Sequence, residues 1–396
     1  MHPVALRQTK EVSAWGWRQE STDSAADDGS AARMERPGVI RVVSYPEDDR
    51  NPYFALFYRA LEPYGVTVSY TNAIDDRMLR QPGRPFDVLH FHWGLEHIWR
   101  WRKRGRLWEI MSLVGWARFL RLAKRKGVRI VWTAHELFPP EAGRWFDLLG
   151  YAMCAHAADL CICHSGHVRN LLVRRFGVGA RKVVTIPIGT YFDTVPAPAG
   201  RAAASAEFGV SASSRLLVCF GDLRPRKGVE VAVEATGLLG NAYELVVAGS
   251  APTTVHQAWV RNLERSCRAA PNITVRIERL QNQVLATLLG AADCVLLPYL
   301  QIFGSSAFSL CLALGRGVVA SDLPYFREVL SLEPKAGVLA KPGDPTALAC
   351  AIEEFFSEPP AVRHEAARRL GQKLAWEKII PPVGEWFATK GQRKTS

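Results

Sequence analysis

Residues 219–228 read CFGDLRPRKG, a stretch in which an apolar run passes into a turn that carries three cations. The run 215–220 predicts a buried strand, and a helix is predicted to begin near Gly228. Glycine lets the backbone approach a ligand closely, and a helix N-terminus adds partial positive charge to the full charges of arginine and lysine. The stretch therefore predicts a diphosphate site, with a solvated basic turn as the alternative. Its candidate residues are Gly221, Arg224, Arg226 and Lys227.

The alternation of apolar runs with helical patterns extends over most of the chain. Short apolar strands separated by helices predict a parallel sheet that is covered on both faces. The first half is predicted to contain strands at 39–44, 66–70, 87–92, 129–133, 159–164 and 182–186. The second half is predicted to contain strands at 215–220, 243–248, 273–277, 294–298 and 317–321. The fold class is therefore α/β, with two doubly wound domains.

A Pro/Ala/Gly segment without periodicity, residues 194–205, separates the two patterns. We expect an N-terminal domain at 37–195, a linker at 196–205, a C-terminal domain at 206–370, and a helix and tail at 371–396. Residues 1–36 are polar and rich in small side chains. They lack the apolar core of a signal peptide, so we expect a disordered leader and a cytoplasmic protein.

The eight cysteines and the apolar runs fit that expectation. No apolar run approaches the ~20 residues that cross a bilayer. Cys161 and Cys163 form the closest cysteine pair, and no partner pair stands elsewhere. We expect buried reduced thiols rather than a metal site.

A second anion site is predicted in residues 298–320, which read PYLQIFGSSAFSLCLALGRGVVA. After a strand, the small residues Gly304, Ser305 and Ser306 begin a helix that is apolar almost all round. Free backbone N–H groups and the two serine hydroxyls can cradle a phosphate there. An ordinary serine N-cap is the alternative interpretation.

The order of these motifs resembles the group 1 glycosyltransferases of the GT-B type, and is most similar to xanthan-type lipid-linked β-mannosyltransferases of bacterial exopolysaccharide synthesis. The motifs are FGDLRPRKGVE at 220–230, NPY at 51–53, DVLHFHW at 87–93 and TAHELFPPE at 133–141. The resemblance implies two Rossmann-like domains that face each other across a cleft, with a nucleotide-sugar donor bound in the C-terminal half. We expect no cofactor. We expect donor-binding roles for Ser305 and Ser306, from the predicted anion site, and for Glu328, whose spacing after the loop 319–322 fits a residue near the donor. For Glu328, a place on a helix surface is the alternative.

The chain departs from the large retaining family at two positions. That family carries two glutamates eight residues apart at the donor helix, where this chain has about Ile302 and Leu310. The xanthan-type subgroup also lacks the second glutamate, but begins its helix with Ser-Gly-Thr instead of Ser305-Ser306-Ala307. The stereochemical outcome and the donor sugar therefore stay open.

Catalytic and acceptor residues are expected at strand ends in the N-terminal half. A general base must take the proton of the acceptor hydroxyl in an inverting transfer, and a carboxylate or imidazole can do so. The resemblance points to Glu141 and His135, with Glu136, Asp48 and Asp49 as alternatives. A hydrogen-bonded loop histidine and a helix N-terminal carboxylate are the structural alternatives. The acceptor-binding candidates are Asn51, Tyr53 and His92.

The formal charge of +12 suits nucleic acid, anionic lipid or a phosphorylated substrate. Residues 98–126 concentrate this charge, with ten Arg/Lys residues, one glutamate and four tryptophans. Basic residues and tryptophans at helical spacing are typical of a helix on an anionic membrane surface. A half-buried surface helix and a platform for single-stranded nucleic acid are the alternatives.

We therefore predict a metal-independent glycosyltransferase that transfers a sugar from a nucleoside-diphosphate sugar to a hydroxyl of a lipid-linked or polysaccharide acceptor. We expect it to act at the inner face of the membrane, without binding nucleic acid. No D-x-D pair is placed to hold a metal ion. A GT-B-fold sugar-nucleotide epimerase or hydrolase is the alternative, and a basic nucleic-acid-binding protein is a more remote one.

Overall fold

The computed structural model describes residues 39–48, 51–80, 86–99, 106–137, 145–252 and 257–391. These residues form two parallel sheets of six strands each, with helices packed on them. The α/β prediction with two doubly wound domains is confirmed.

The N-terminal sheet has the strand order β2-β1-β3-β4-β5-β6, with all strands parallel. Its strands are β1 Ile40–Tyr45, β2 Val66–Tyr70, β3 Val88–Phe91, β4 Arg129–Thr133, β5 Leu160–Cys163 and β6 Val183–Thr185. Its helices are α1 Pro52–Leu61, α2 Glu96–Trp99, α3 Arg106–Arg125, α4 Trp145–Ala157 and α5 Gly166–Arg174. Every residue of β3 and β5 is buried, as a sheet with two covered faces requires.

The C-terminal sheet has the order β12-β11-β10-β7-β8-β9 and is also parallel. Its strands are β7 Arg215–Phe220, β8 Tyr243–Ala248, β9 Ile273–Arg276, β10 Cys294–Leu297, β11 Val318–Ser321 and β12 Gly337–Ala340. Its helices are α6 Arg201–Phe208, α7 Val229–Leu239, α8 Gln257–Arg268, α9 Asn282–Ala291, α10 Ser306–Ala313, α11 Pro324–Leu330, α12 Pro345–Phe355 and α13 Pro360–Lys373.

All eleven predicted strands are present, but two details differ from the prediction. Strand β12 was not among the predicted strands. Helix α6 begins at Arg201, inside the segment expected to be a linker. Its sequence RAAASAEF is rich in alanine, which has the highest helix propensity, and Gly209 ends it in a left-handed conformation (φ 70°).

The end of the chain returns from the C-terminal domain to the N-terminal domain. After α13, the short helices α14 Trp376–Ile379 and α15 Pro381–Trp386 lie against the N-terminal domain, where α14 contacts α1 and Gly384 of α15 lies beside Tyr64. The ring of Trp376 packs edge-on against Tyr53 and Phe57 of α1, at centroid distances of 5.4 and 5.9 Å. The segment therefore connects the two domains a second time.

In both sheets the strand order reverses at one point, between β1 and β3 and between β7 and β10. Ligands of doubly wound sheets bind outside the carboxyl ends of the strands at such points. Seven of the eight cysteines are buried, Cys161 and Cys163 included, and all eight are free thiols, in agreement with the expectation. Within the described residues, no group of three or more metal-ligating side chains is present.

Candidate functional site

A cavity of about 350 Å³ lies between the two domains, at the carboxyl ends of both sheets. Its N-terminal wall comes from loops after β1, β3, β4 and β5, and its C-terminal wall from the turns after β7 and β10. The lining includes Asn51, His135, Gly221, Arg224, Arg226, Lys227, Ser305 and Ser306. Eight of the predicted site residues, which lie far apart in the sequence, therefore meet at one place.

The basic turn after β7 lines the cavity on its C-terminal side. We call its three cations, Arg224, Arg226 and Lys227, the basic floor. Gly221 follows the strand with φ 117°, a conformation that L side chains rarely adopt. A short 3₁₀ turn over Pro225–Lys227 ends at Gly228 (φ 63°), which is the N-cap of α7. A Cβ atom on Gly228 would lie 2.0 Å from the carbonyl oxygen of Pro298. Only glycine allows this turn to pack so closely against the end of β10.

Lys227 lies at the base of the cavity, with Nζ 3.7 Å from the centre of the Tyr299 ring. The electron-rich face of an aromatic ring attracts a cation. Burial, followed by the charge of Arg226, lowers the pKa of Lys227 to about 7. An anion bound beside the ammonium would raise this pKa again and so keep Lys227 positively charged.

Arg226 forms an ion pair across the cleft, with its Nη2 3.4 Å from Oε1 of Glu136 in the N-terminal domain. Burial raises the pKa of Glu136 above its ordinary value, although Arg226 opposes this shift. Within the described structure, the buried Nε atoms of Arg224 and Arg226 have no hydrogen-bond partner, and Nε of Arg224 lies 3.9 Å from Oδ2 of Asp222, beyond hydrogen-bond distance. Because buried donors are usually satisfied, these guanidinium groups have unused capacity to bind an anion.

The start of α10 forms the opposite edge of the basic floor. Ser305 is the N-cap, and its Oγ accepts a hydrogen bond from the Phe308 amide at 3.1 Å. That hydroxyl thus makes an ordinary cap, the alternative interpretation, while Ser306 lines the cavity at the first helical position. A Cβ atom on Gly304 would lie 2.9 Å from Ile188 Cδ1 and 3.2 Å from His164 Cδ2. The two domains therefore touch at this loop.

The three predicted acceptor residues differ in position. Asn51 lines the cavity and caps α1 by accepting a hydrogen bond from the Tyr53 amide at 3.0 Å. Tyr53 and His92 are each 1% exposed and do not line the cavity. They lie behind His135, whose ring centre is 4.8 Å from that of Tyr53. His135 therefore lies between these two side chains and any acceptor bound in the cavity.

Both ring nitrogens of the predicted catalytic residue His135 take part in hydrogen bonds. Nε2 lies 3.2 Å from His92 Nδ1, and Nδ1 lies 3.1 Å from His164 Nε2. We did not select His164 from the sequence. The sequence feature that could have identified it is its position, since His164 is the polar residue at the end of the predicted strand 159–164. Other lining residues missed by sequence reasoning are Trp93, Glu96, His97, Asp222 and Tyr299.

The remaining predictions concern two glutamates. Glu328 does not line the cavity, because its carboxylate accepts hydrogen bonds from the Gly166 amide at 2.8 and 2.9 Å. It caps α5 of the other domain. Glu141 lies outside the described residues, so its role stays a prediction. Of the positions that hold glutamates in the retaining family, Ile302 lines the cavity and Leu310 is buried.

Two family models match the chain. The model described as Glycosyltransferase Family 4 matches residues 30–191, and the model described as Glycosyl transferases group 1 matches residues 214–358. The two matches follow the two domains that form the cavity. The chain belongs to the group 1 glycosyltransferases. This glycosyltransferase therefore has the GT-B fold that the sequence motifs implied.

Named relatives of the glycosyltransferase include two enzymes that are each 28% identical to it. A D-inositol 3-phosphate glycosyltransferase of Kineococcus radiotolerans matches over 79% of this chain and 73% of its own length. A GDP-mannose:glycolipid 4-beta-D-mannosyltransferase of Xanthomonas campestris pv. campestris matches over 73% and 75%.

Solved structures confirm the fold of the glycosyltransferase at low sequence identity. Anabaena HepE in complex with UDP and glucose has a TM-score of 0.69 at 15% identity, covering 89% of this chain and 100% of that chain. The sucrose-phosphate synthase of Thermosynechococcus elongatus has a TM-score of 0.66 at 18% identity, covering 88% and 98%.

Proposed function

We propose that this glycosyltransferase transfers a hexose from a nucleoside-diphosphate sugar to a hydroxyl of a lipid-linked or polysaccharide acceptor. The observation that carries the proposal is the basic floor of Arg224, Arg226 and Lys227 in a cavity shared by both domains. Three cations beside a helix N-terminus suit a diphosphate, and the facing wall leaves the acceptor a place on the N-terminal side.

The C-terminal wall stabilises the leaving group. Negative charge develops on the diphosphate as the glycosidic bond breaks, and preorganised charge at that point is usually the main contribution to catalysis. Arg226 and Lys227 supply it, with Arg224 and the hydroxyl of Ser306 beside them. Since these cations can neutralise the diphosphate, the proposed reaction needs no divalent metal.

A carboxylate of the N-terminal wall would take the proton of the acceptor hydroxyl. Glu141 remains the candidate implied by the resemblance. Glu136 is the candidate supported by geometry, because it lines the cavity and faces the basic floor. Its Oε1 lies 3.4 Å from Nη2 of Arg226. A general base works best when its pKa lies near the working pH, and burial raises the pKa of Glu136 in that direction.

The names of the relatives support the proposed substrate classes. The Xanthomonas relative is named for GDP-mannose and a glycolipid, and HepE was solved with UDP and glucose. A nucleoside-diphosphate hexose is therefore the proposed donor, and a glycolipid is the proposed acceptor. We place the reaction in exopolysaccharide or glycolipid synthesis.

A lipid acceptor must be met at a membrane, and we propose that α3 and α4 form the contact on its inner face. Two of the four tryptophans in residues 98–126 do not face solvent, since Trp99 and Trp116 are 1% and 2% exposed and belong to the core. The exposed apolar side chains of these helices are Leu107, Trp108, Ile110, Met111, Val114, Trp145, Leu148 and Leu149. We call this set the apolar patch.

Basic residues accompany the apolar patch. Arg118 on α3 is largely exposed, and the neighbouring residues 100–105, outside the described part, read RWRKRG. Apolar side chains beside cations suit the boundary between headgroups and acyl chains of an anionic bilayer. None of the described helices combines the length and hydrophobicity that crossing a bilayer requires.

A thermal-shift screen with UDP, GDP, ADP and dTDP tests the donor half of the proposal. A ligand that binds only the native state stabilises it by about 2.7 kcal/mol at one hundred times its Kd. We expect one or two nucleotides to raise Tm, and the Arg226→Ala/Lys227→Ala double variant to lose that rise. If no nucleoside diphosphate raises Tm of the wild type, the donor assignment is wrong.

A further inference from the structure

A continuous chain of hydrogen bonds runs from the cavity wall into the core of the N-terminal domain. It starts at the Ile186 carbonyl and passes through His164, His135, His92, Tyr58 and His90 to Thr133. The successive distances are 3.1, 3.1, 3.2, 3.2, 2.8 and 2.8 Å. We call this set the histidine chain. Only His135 and His164 line the cavity, and the other side chains are buried.

One end of the histidine chain sets the direction of every bond in it. The Ile186 carbonyl can only accept, so His164 donates to it from Nδ1. A neutral imidazole has one donor and one acceptor nitrogen, so Nε2 of His164 accepts from His135. The same reasoning makes Nδ1 of His92 the donor to Nε2 of His135. All three rings are therefore Nδ1–H tautomers.

The inner half of the chain continues in the same direction. The hydroxyl of Tyr58 donates to Nε2 of His92, and accepts from Nδ1 of His90. Nε2 of His90 then accepts from the hydroxyl of Thr133. Burial supports neutral rings throughout, since it lowers the pKa of His90 to about 3 and that of His164 to about 4.

We propose that His92 and His164 are positioning residues that hold His135 in the cavity wall as a neutral ring with both nitrogens occupied. This inference rests on the proposed function only in placing donor and acceptor in this cavity. In this state His135 has no free nitrogen that could take the proton of the acceptor hydroxyl. The imidazole is therefore a fixed part of the cavity wall, and a carboxylate acts as the base.

A neutral wall also suits the charge that develops during the reaction. Glycosyl transfer passes through a transition state with oxocarbenium character, which is positive at the anomeric carbon. A protonated imidazole there would repel this charge. It would also compete with Arg226 and Lys227 for the diphosphate. The neutral histidine chain itself adds no positive charge to the N-terminal wall.

Nitrogen-15 NMR of histidine-labelled protein at pH 7.5 tests the tautomers without any substrate. We expect Nδ1–H and unprotonated Nε2 for His90, His92, His135 and His164. His364 is an internal control, because its Nδ1 accepts from the Gly317 amide at 3.1 Å and the ring must be the Nε2–H tautomer. A wild-type spectrum with His135 protonated at Nε2 would overturn the proposal.

Two variants separate positioning from general support of the fold. His164→Asn keeps a donor for the Ile186 carbonyl but removes the acceptor of the His135 Nδ1 proton. The direction of the remaining hydrogen bonds is then no longer fixed, so a population of the Nε2–H tautomer of His135 should appear. Tyr58→Phe breaks the chain beyond His92 and should leave His92, His135 and His164 as Nδ1–H tautomers. Thermal melting shows whether each variant is folded.

Kinetics give the second readout of the same variants. Small misplacement at a reacting centre can cost about 100-fold in rate. We expect His164→Asn to lower kcat by about 10-fold or more, and Tyr58→Phe to lower it less. UDP or GDP should bind His164→Asn as tightly as the wild type, since the C-terminal wall holds the diphosphate. Unchanged kcat in a folded His164→Asn would also overturn the proposal. If no donor is turned over by the wild type, the proposed function fails, while the spectra still decide the tautomers.

Discussion

Nζ of Lys227 lies 3.7 Å from the centre of the Tyr299 ring, at the base of the cavity between the domains. The ring comes from the end of β10 and the lysine from the turn after β7, which are neighbours in the sheet at its switch point. The half-buried ammonium thus lies beside the site proposed for a diphosphate. Its lowered pKa, about 7, makes its charge sensitive to what binds there.

We predict that Arg226→Ala and Lys227→Ala each lower transfer about 100-fold, since one lost donor to developing charge costs ~3 kcal/mol. Initial rates at saturating donor measure the effect. Arg276→Ala is the matched control, because Arg276 forms exposed ion pairs with Glu207 and Glu278 outside the cavity. Near-wild-type kcat in both cavity variants would remove the basic floor from the mechanism.

We predict that UDP or GDP binds more weakly as pH rises above 7. Free Lys227 loses its proton near pH 7, whereas a bound diphosphate raises the pKa of the ammonium, so binding takes up a proton. Between these two pKa values Kd should rise about tenfold per pH unit. The ligand itself contributes little, because a terminal phosphate ionises near pH 6. Titration calorimetry from pH 7 to 9 measures this dependence.

Lys227→Arg provides the control for this pH dependence. A guanidinium stays charged throughout that range, so the variant should bind UDP or GDP equally at pH 7 and pH 9. A wild-type Kd that is the same at pH 7 and pH 9 would contradict the assignment of Lys227 to the diphosphate.

We predict that Glu136→Gln lowers kcat by about 100-fold or more, the usual range for a lost general base. Nucleotide binding should not weaken, because the substitution removes a carboxylate that competes for Arg226. Glu141→Gln should be compared in the same assay. A large loss in Glu141→Gln with normal kcat in Glu136→Gln would assign the base to Glu141.

We predict that transfer continues in excess EDTA. The basic floor supplies the positive charge that a divalent ion would otherwise bring to the diphosphate. The assay compares initial rates with and without chelator after dialysis. Complete loss in EDTA that Mg²⁺ or Mn²⁺ restores would show that the enzyme depends on a metal.

We predict that the protein binds vesicles containing anionic lipid through the apolar patch and its basic neighbours. Each cation near an anionic surface contributes about 1 kcal/mol, and the apolar side chains add an attraction that salt does not screen. Flotation with vesicles should therefore show binding that weakens in high salt without vanishing. Neutral vesicles should bind less.

Two sets of variants separate the charged and apolar contributions. Changing Arg100, Arg102, Lys103 and Arg104 to Glu should remove the dependence on anionic lipid. Leu107→Ser with Met111→Ser should remove the binding that remains in high salt. Leu238→Ser with Leu332→Ser is the control, since both leucines are exposed on the C-terminal domain. Equal binding to neutral and anionic vesicles, or none, would show that α3 is only a surface helix.

The parts of the fold that were predicted well are those where local pattern and tertiary structure agree. β2, β4, β7 and β8 have the bounds that their apolar runs indicated. Four-residue β12 was missed because its run is short and ends in a Lys-Pro-Gly turn. Trp99 could not be assigned from helical spacing, because its burial depends on Gly150, where a Cβ atom would lie 2.5 Å from the indole.

The site was predicted where its residues belong to one turn, and missed where it depends on the pairing of strands. Arg226 and Lys227 stand in one motif, so the sequence alone was enough. His164 contacts His135 because β4 pairs with β5, with Thr133 opposite Ile162. No local pattern contains that pairing. The contact of Glu136 with Arg226 depends in addition on how the two domains face each other.

Label transfer from a nucleotide sugar tests the central claim most directly. UDP-[¹⁴C]glucose and GDP-[¹⁴C]mannose are incubated with a bacterial lipid extract and either wild type or the Arg226→Ala/Lys227→Ala double variant. The proposed function predicts that one donor labels the lipid fraction, that nucleoside diphosphate is released in equal amount, and that the double variant does neither. Label recovered only as free sugar, or equal transfer by the double variant, would contradict it.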